Sequence, residues 1–109
     1  MGTTLVALLP ELVVAIESAL RGEGCVAQAE SIAGAVVERW TYDPSVKAGY
    51  IYLAQRNPVQ CSETPAAKTL VFMFEHGFNV DLRAHGEVFG VELLDHESVF
   101  ARLGADSGA

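Results

Sequence analysis

Positive charge is scarce in this chain. Only seven of its 109 residues are Lys or Arg, against 14 Asp and Glu, which leaves a formal net charge of -7. The seven cations form no run or stripe, so DNA and RNA are not expected as partners, because phosphate binding needs clustered cations. A basic partner protein suits the balance better. Cysteine is nearly missing too. Cys25 and Cys61 stand far apart in no metal-ligand spacing, as expected of two reduced thiols in a cytoplasmic protein, although two cysteines leave a disulfide open. No apolar run is long enough to span a bilayer. The stretch from Leu5 to Leu20 is interrupted by Glu11 and Glu17 and has no basic lead-in, so it does not read as a signal peptide. No membrane association is expected, and the cytoplasm is the default location. Absent as well are an HExxH spacing among His76, His85 and His96, a GxSxG elbow and a phosphate-binding glycine loop. Nothing around Cys61 suggests a lowered thiol pKa. The sequence therefore names no catalytic residue, no metal site and no cofactor.

What is present is apolar and patterned. Half of the residues are hydrophobic and only 19% are charged, which indicates one folded domain over residues 1–109. It divides into a helical hairpin over about 5–37, a sheet region over about 38–95, and a C-terminal helix with a tail over 96–109. Leu5, Leu9, Leu12, Val13, Ile16 and Leu20 share one helical face. Pro10 belongs in a first turn, so the firm helix is predicted from Pro10 to about Arg21, ended by Gly22-Glu23-Gly24. A second helix is predicted from Cys25 to Val36, with Val26, Ala29, Ile32, Ala33 and Val36 facing inward.

The period then changes. Glu38 to Tyr42 alternates as a strand, Asp43-Pro44-Ser45 is a turn, and Tyr50 to Leu53 should pair back. Gln55 to Lys68 reads as a loop, either a plain surface connection or one covering a site. Thr69 to Phe74 is apolar on both faces, as expected of a central strand or one at a dimer interface. Glu75-His76-Gly77 is a turn. His76 and His85 each precede a glycine and read as exposed turn residues. His96 to Leu103 should form a short helix with Val99, Phe100 and Leu103 inward, and Gly104 to Ala109 is a small-residue tail expected to lack order. The class is α+β: a helical hairpin packed on an antiparallel sheet of four or five strands, plus the short C-terminal helix.

The most sharply patterned stretch runs from Phe78 to Leu94. Phe78, Val80 and Leu82 alternate with Asn79, Asp81 and Arg83, and Phe89, Val91 and Leu93 follow a turn at His85-Gly86. One register aligns Leu82 with Phe89, Val80 with Val91 and Phe78 with Leu93, and a slip by one residue would send one apolar set to the wrong face. The opposite face then sets Asn79 across from Glu92 and Asp81 across from Gly90, with Asp81 and Glu92 about 6–8 Å apart as diagonal neighbours.

Two stretches resemble a known family. Tyr42-Asp43-Pro44 leading into Ala48-Gly49-Tyr50-Ile51-Tyr52-Leu53 is similar to the opening motif of the bacterial domain-of-unknown-function 2283 family. Asn79-Val80-Asp81, Gly86 and Gly90-Val91-Glu92-Leu93-Leu94 resemble its closing motif. The likeness covers roughly Arg39 to Asp95 and implies a small antiparallel α+β domain without an established activity. It also implies a partner-binding or antitoxin-like role, and leaves the N-terminal helices as an addition. The family has Asp where Lys47 stands and acids near Arg83 and His85. A shared cation-holding role would therefore be partly lost here.

Asn79, Asp81 and Glu92 are the candidate ligand-binding residues. Two carboxylates flanking one reacting group would suit acid–base work, and Asn79 would add a neutral oxygen for a hard cation. The structural alternative is that Glu92 hydrogen-bonds Asn79 across the strands while Asp81 caps a turn or meets Arg83. Trp40, Tyr42, Tyr50 and Tyr52 either line a pocket between sheet and helices or pack as cross-strand pairs. The leading expectation is a protein-interaction or self-associating module, a homodimer or the binder of another protein. The alternative is a small ligand-binding protein or enzyme using Asp81, Glu92 and the loop from Gln55 to Lys68.

Overall fold

The computed structural model describes residues 3–54, 68–83 and 86–106. The expectations for the loop, Cys61, His85 and the last three residues lie outside these. Chain stiffness at Pro10 sets the first architectural feature. The residue before a proline is disfavoured in the α region, and Leu9 accordingly sits at φ -137°, ψ 64° between α1 (Leu5–Leu8) and α2 (Pro10–Gly22). Thr4 caps α1 through its Oγ1, which accepts from the Ala7 N–H at 3.4 Å. α3 (Val26–Ile32) is shorter than the sequence suggests. Its chain leaves the helix because the Ala35 carbonyl accepts from Leu5 N–H at 2.7 Å and Val36 bridges to Thr4. Tertiary pairing with the N-terminus outweighs the helix propensity of an alanine-rich run. Val26, expected inward, is 47% exposed, whereas Ala29 and Ile32 are fully buried.

Five strands follow: β1 (Val37–Asp43), β2 (Ala48–Leu53), β3 (Lys68–Val71), β4 (Phe78–Leu82) and β5 (Val88–Leu94). They form one antiparallel sheet in the order β1-β2-β5-β4-β3. The fold is therefore α+β, with a one-turn helix α4 (Met73–His76) between β3 and β4 and a closing helix α5 (Glu97–Asp106). One face of the sheet carries Ile51, Leu53, Leu70, Phe78, Val80, Leu82, Val91 and Leu93. These are buried with Leu5, Leu9, Leu12, Val13, Ile16 and Leu20 of the helices in one core. Each fully buried Leu, Ile or Phe contributes about 1.5–3 kcal/mol. Among the described residues no helix is long and apolar enough to cross a membrane.

Three further sequence expectations, in the sheet, need correction. The apolar run Thr69 to Phe74 is not one central strand. β3 stops at Val71, lies at the edge of the sheet, and leaves Val71 59% exposed. Its continuation coils into α4, which ends on Gly77 in the left-handed region at φ 77°, a conformation glycine adopts without penalty. The hairpin pairs Phe78 with Leu93 and Val80 with Val91 as expected, but a bulge sets Leu82 opposite Val88 rather than Phe89. Val88 enters the core and Phe89 turns to the other face. The aromatic quartet is also divided. Trp40 and Tyr42 lie on the helix side against Phe100 of α5, with ring centroids 5.9 and 4.7 Å away, whereas Tyr50 and Tyr52 alternate to the opposite side.

α5 extends through Gly104 to Asp106, residues expected to lie in the tail. Phe100, 4% exposed, and Leu103, 2% exposed, anchor it. Gly49 makes this docking possible, since a Cβ there would overlap the Phe100 ring and the Thr41 carbonyl.

Candidate functional site

No described helix packs on the second face of the sheet, and the candidate residues lie there. Period-2 alternation brings Arg39 and Thr41 of β1, Tyr50 and Tyr52 of β2, Glu92 of β5, Asn79 and Asp81 of β4, and Thr69 and Val71 of β3 to this side, and the bulge adds Phe89. The register places Asn79 opposite Glu92 and Asp81 opposite Gly90, as the sequence indicates.

The three candidates do not converge on one point. Asn79 donates from Nδ2 to Glu92 Oε1 at 3.2 Å, and its Oδ1 accepts from the Phe72 N–H at 3.2 Å. Asp81 turns the other way. Its Oδ2 accepts from the Tyr50 hydroxyl at 2.5 Å and its Oδ1 from the Thr69 hydroxyl at 2.5 Å. Asp81 thus links β2 to the edge strand β3 across the intervening β5. That reach depends on Gly90, because the Tyr50 ring lies where a Cβ of residue 90 would stand. A glycine inside a strand marks such close approaches.

The electrostatics follow from this packing. Burial, then the hydrogen bond to Asp81, pushes the Tyr50 phenol far above its ordinary value, so the hydroxyl keeps its proton and donates it to Asp81 near neutrality. Both Asp81 oxygens already receive a hydrogen bond. Glu92 is exposed, and one of its oxygens is held by Asn79. No group of three or more His, Cys, Asp or Glu side chains placed to hold a metal ion occurs among the described residues. Concavities of about 590, 320 and 330 Å³ are lined by residues other than Asn79, Asp81 and Glu92.

Beside the acids lies an aromatic row that sequence reading did not assemble. Tyr50 and Tyr52 stack at a tilt with centroids 4.6 Å apart, and Phe89 meets Tyr52 edge-on at 6.1 Å. Arg39 covers the Tyr52 ring with its Cζ 3.6 Å from the centroid, and Arg83 covers Phe89 at 4.6 Å. The row therefore runs Arg39, Tyr52, Phe89, Arg83. Arg83 is only 6% exposed, whereas Arg39 is exposed. Gly90 opposite Asp81 was the available sequence signal for Tyr50. Phe89 carried none, because its place on this face comes from the bulge.

No family model matches the chain, and neither a curated protein nor a solved structure matches it.

Proposed function

We propose that this protein is a protein-interaction module of the cytoplasm, acting by contact with a macromolecular partner, another copy of itself included. The observation that carries the reading is the sheet face on which no described helix packs, where the half-buried Tyr52, Phe89 and Tyr50 are oriented by Arg39, Arg83 and Asp81. Tyr and Arg side chains dominate the binding energy of protein interfaces, and rigid rings lose little entropy when a partner covers them. The carboxylate cluster favours this reading over acid–base chemistry, since Asp81 spends both oxygens on neighbouring strands. Kinship with the domain-of-unknown-function 2283 family belongs to the same proposal. What supports it is that the two motifs lie on β2, β5 and β4, which are consecutive in the sheet.

Affinity capture from native cell extract tests the reading, with the wild-type chain, Tyr52→Ala and Arg39→Glu as parallel baits. A partner held by the wild type and lost from both variants is the expected result. An identical set of proteins on all three baits would overturn it.

A further inference from the structure

The two edges of the sheet are not equivalent. At β1 the chain interrupts its own ladder with a register irregularity between Val37 and Arg39, and places the charged Glu38 and Arg39 there. The head of β1 is also occupied, since Val37 N–H donates to the Thr3 carbonyl at 3.0 Å and Val36 bridges to Thr4. Bulges, charges and covering segments are the means by which sheets keep an edge from pairing with another chain. Among the described residues β3 has no bulge and no covering segment along Thr69-Leu70-Val71, and its one charge, Lys68, stands at its first residue. It pairs with β4 in unbroken register, its outer side meets no other described strand, and Val71 is 59% exposed.

The charges at the ends of β3 add a second observation. Lys68 begins the strand and is exposed. Beyond the other end a groove of about 320 Å³ is lined by Ser18, Ala19, Gly22 and Glu23 of the α2 end together with Val71, Phe72 and His76. Glu23 is exposed there. One end of the edge is thus cationic and the other anionic, with apolar and small residues between. A two-fold axis perpendicular to the sheet reverses the strand and lays each cation on the opposite anion. The edge is complementary to itself.

We infer that β3 is a docking edge for a second copy of this chain. This rests on the interaction-module reading and assigns the self-contact to one strand. The two copies of β3 pair antiparallel and join the sheets into a single ten-stranded one, with the helices of both copies on the same side. The aliphatic stem of Lys68 lies along the groove beside Ala19 and Gly22 of the other copy, and its ammonium meets that copy's Glu23. A second copy suits this edge better than an unrelated strand, because the pairing satisfies Lys68 and Glu23 twice by symmetry.

Sedimentation equilibrium of the full chain between about 5 μM and 1 mM, a range suited to a small transient interface, tests the assignment. The expected result is a reversible dimer within that range. Lys68→Glu and Glu23→Lys should each weaken it about tenfold, and the double charge swap should restore it to within about threefold, as paired charges do in a double-mutant cycle. Both substitutions are at exposed positions, and circular dichroism of the three variants checks their fold. A wild type that stays monomeric throughout overturns the docking edge. The wider interaction reading then still stands if the Tyr52→Ala bait loses a captured partner. A dimer indifferent to Lys68→Glu but dissolved by Arg39→Glu overturns the edge in favour of the open face. A dimer that only the charge swap repairs carries it.

Discussion

Gly90 and Tyr50 form a close residue-scale pair. The ring occupies the space of an absent Cβ and so carries the hydroxyl from β2 over β5 to Asp81. Gly90→Ala should displace the ring and cost about 1–3 kcal/mol, the range of overpacked sites, measured by urea denaturation. An unchanged midpoint would show that the ring moves freely. Tyr50→Phe removes the hydroxyl alone and should cost about 1–2 kcal/mol, as expected for a bond to a partly solvated carboxylate. Its effect should also depend on pH. Folding raises the Tyr50 pKa through burial and the bond to Asp81. The stabilisation is therefore fully present below the unfolded tyrosine value of about 10 and is lost as pH rises beyond it. The wild type should lose stability more steeply than Tyr50→Phe between about pH 10 and 12, and parallel curves would contradict the linkage.

At the scale of elements, α5 is fastened to the sheet by the Phe100 ring and to the core by Leu103. Phe100 stacks on Tyr42, touches Trp40 and fills the space over Gly49. Phe100→Ala should cost about 3–5 kcal/mol, whereas removing the exposed Lys47–Glu97 pair at 3.4 Å by Lys47→Ala should change stability by less than about 1 kcal/mol. Thermal melts of both variants check the contrast, and similar shifts would mean the helix is held electrostatically. The elements were legible where local chemistry was unambiguous. Pro10 placed α2, Asp43-Pro44-Ser45 placed the β1–β2 turn, and alternation from Phe78 to Val80 fixed the central pairs of the β4–β5 hairpin. Legibility failed where tertiary contacts decide. α3 stops at Ile32 where a weak local signal, Gly34, coincides with a contact local reading could not supply, the pairing of Ala35 and Val36 with the N-terminus. Leu70 to Phe74 fits a buried strand by composition, and its edge position depends on sheet order. Asn79, Asp81 and Glu92 were readable by register, while their division into two separate bonds depends on Tyr50 and Thr69 from other strands.

For the molecule as a whole, charge and architecture pull in different directions. Seven excess negative charges repel one another within the compact state and between copies. Raising ionic strength from about 0.01 to 0.15 M shortens the screening length from about 30 to 8 Å, which should raise the melting temperature of the monomer. A fall on adding salt would indicate that attractive surface pairs outweigh the repulsion. The architecture sorts the work by side. Helices cover one face of the sheet, where Ile51, Val80, Val91 and Leu93 make the core, and the other face is free to vary in side chains that do not hold the fold.

The bulge opposite Leu82 makes that separation adjustable in units of one residue. Phe89 is the surplus residue, so the chain on either side of it is out of step by one position. Removing Phe89 outright would bring β5 back into step, leaving Val88 inward and the core composition unchanged, while erasing the half-buried ring from the other face. Removing Val88 instead would drive the larger ring into the space of a valine. Two neighbouring deletions of equal length would therefore have opposite outcomes: one edits the outer surface of the protein, and the other overfills its interior.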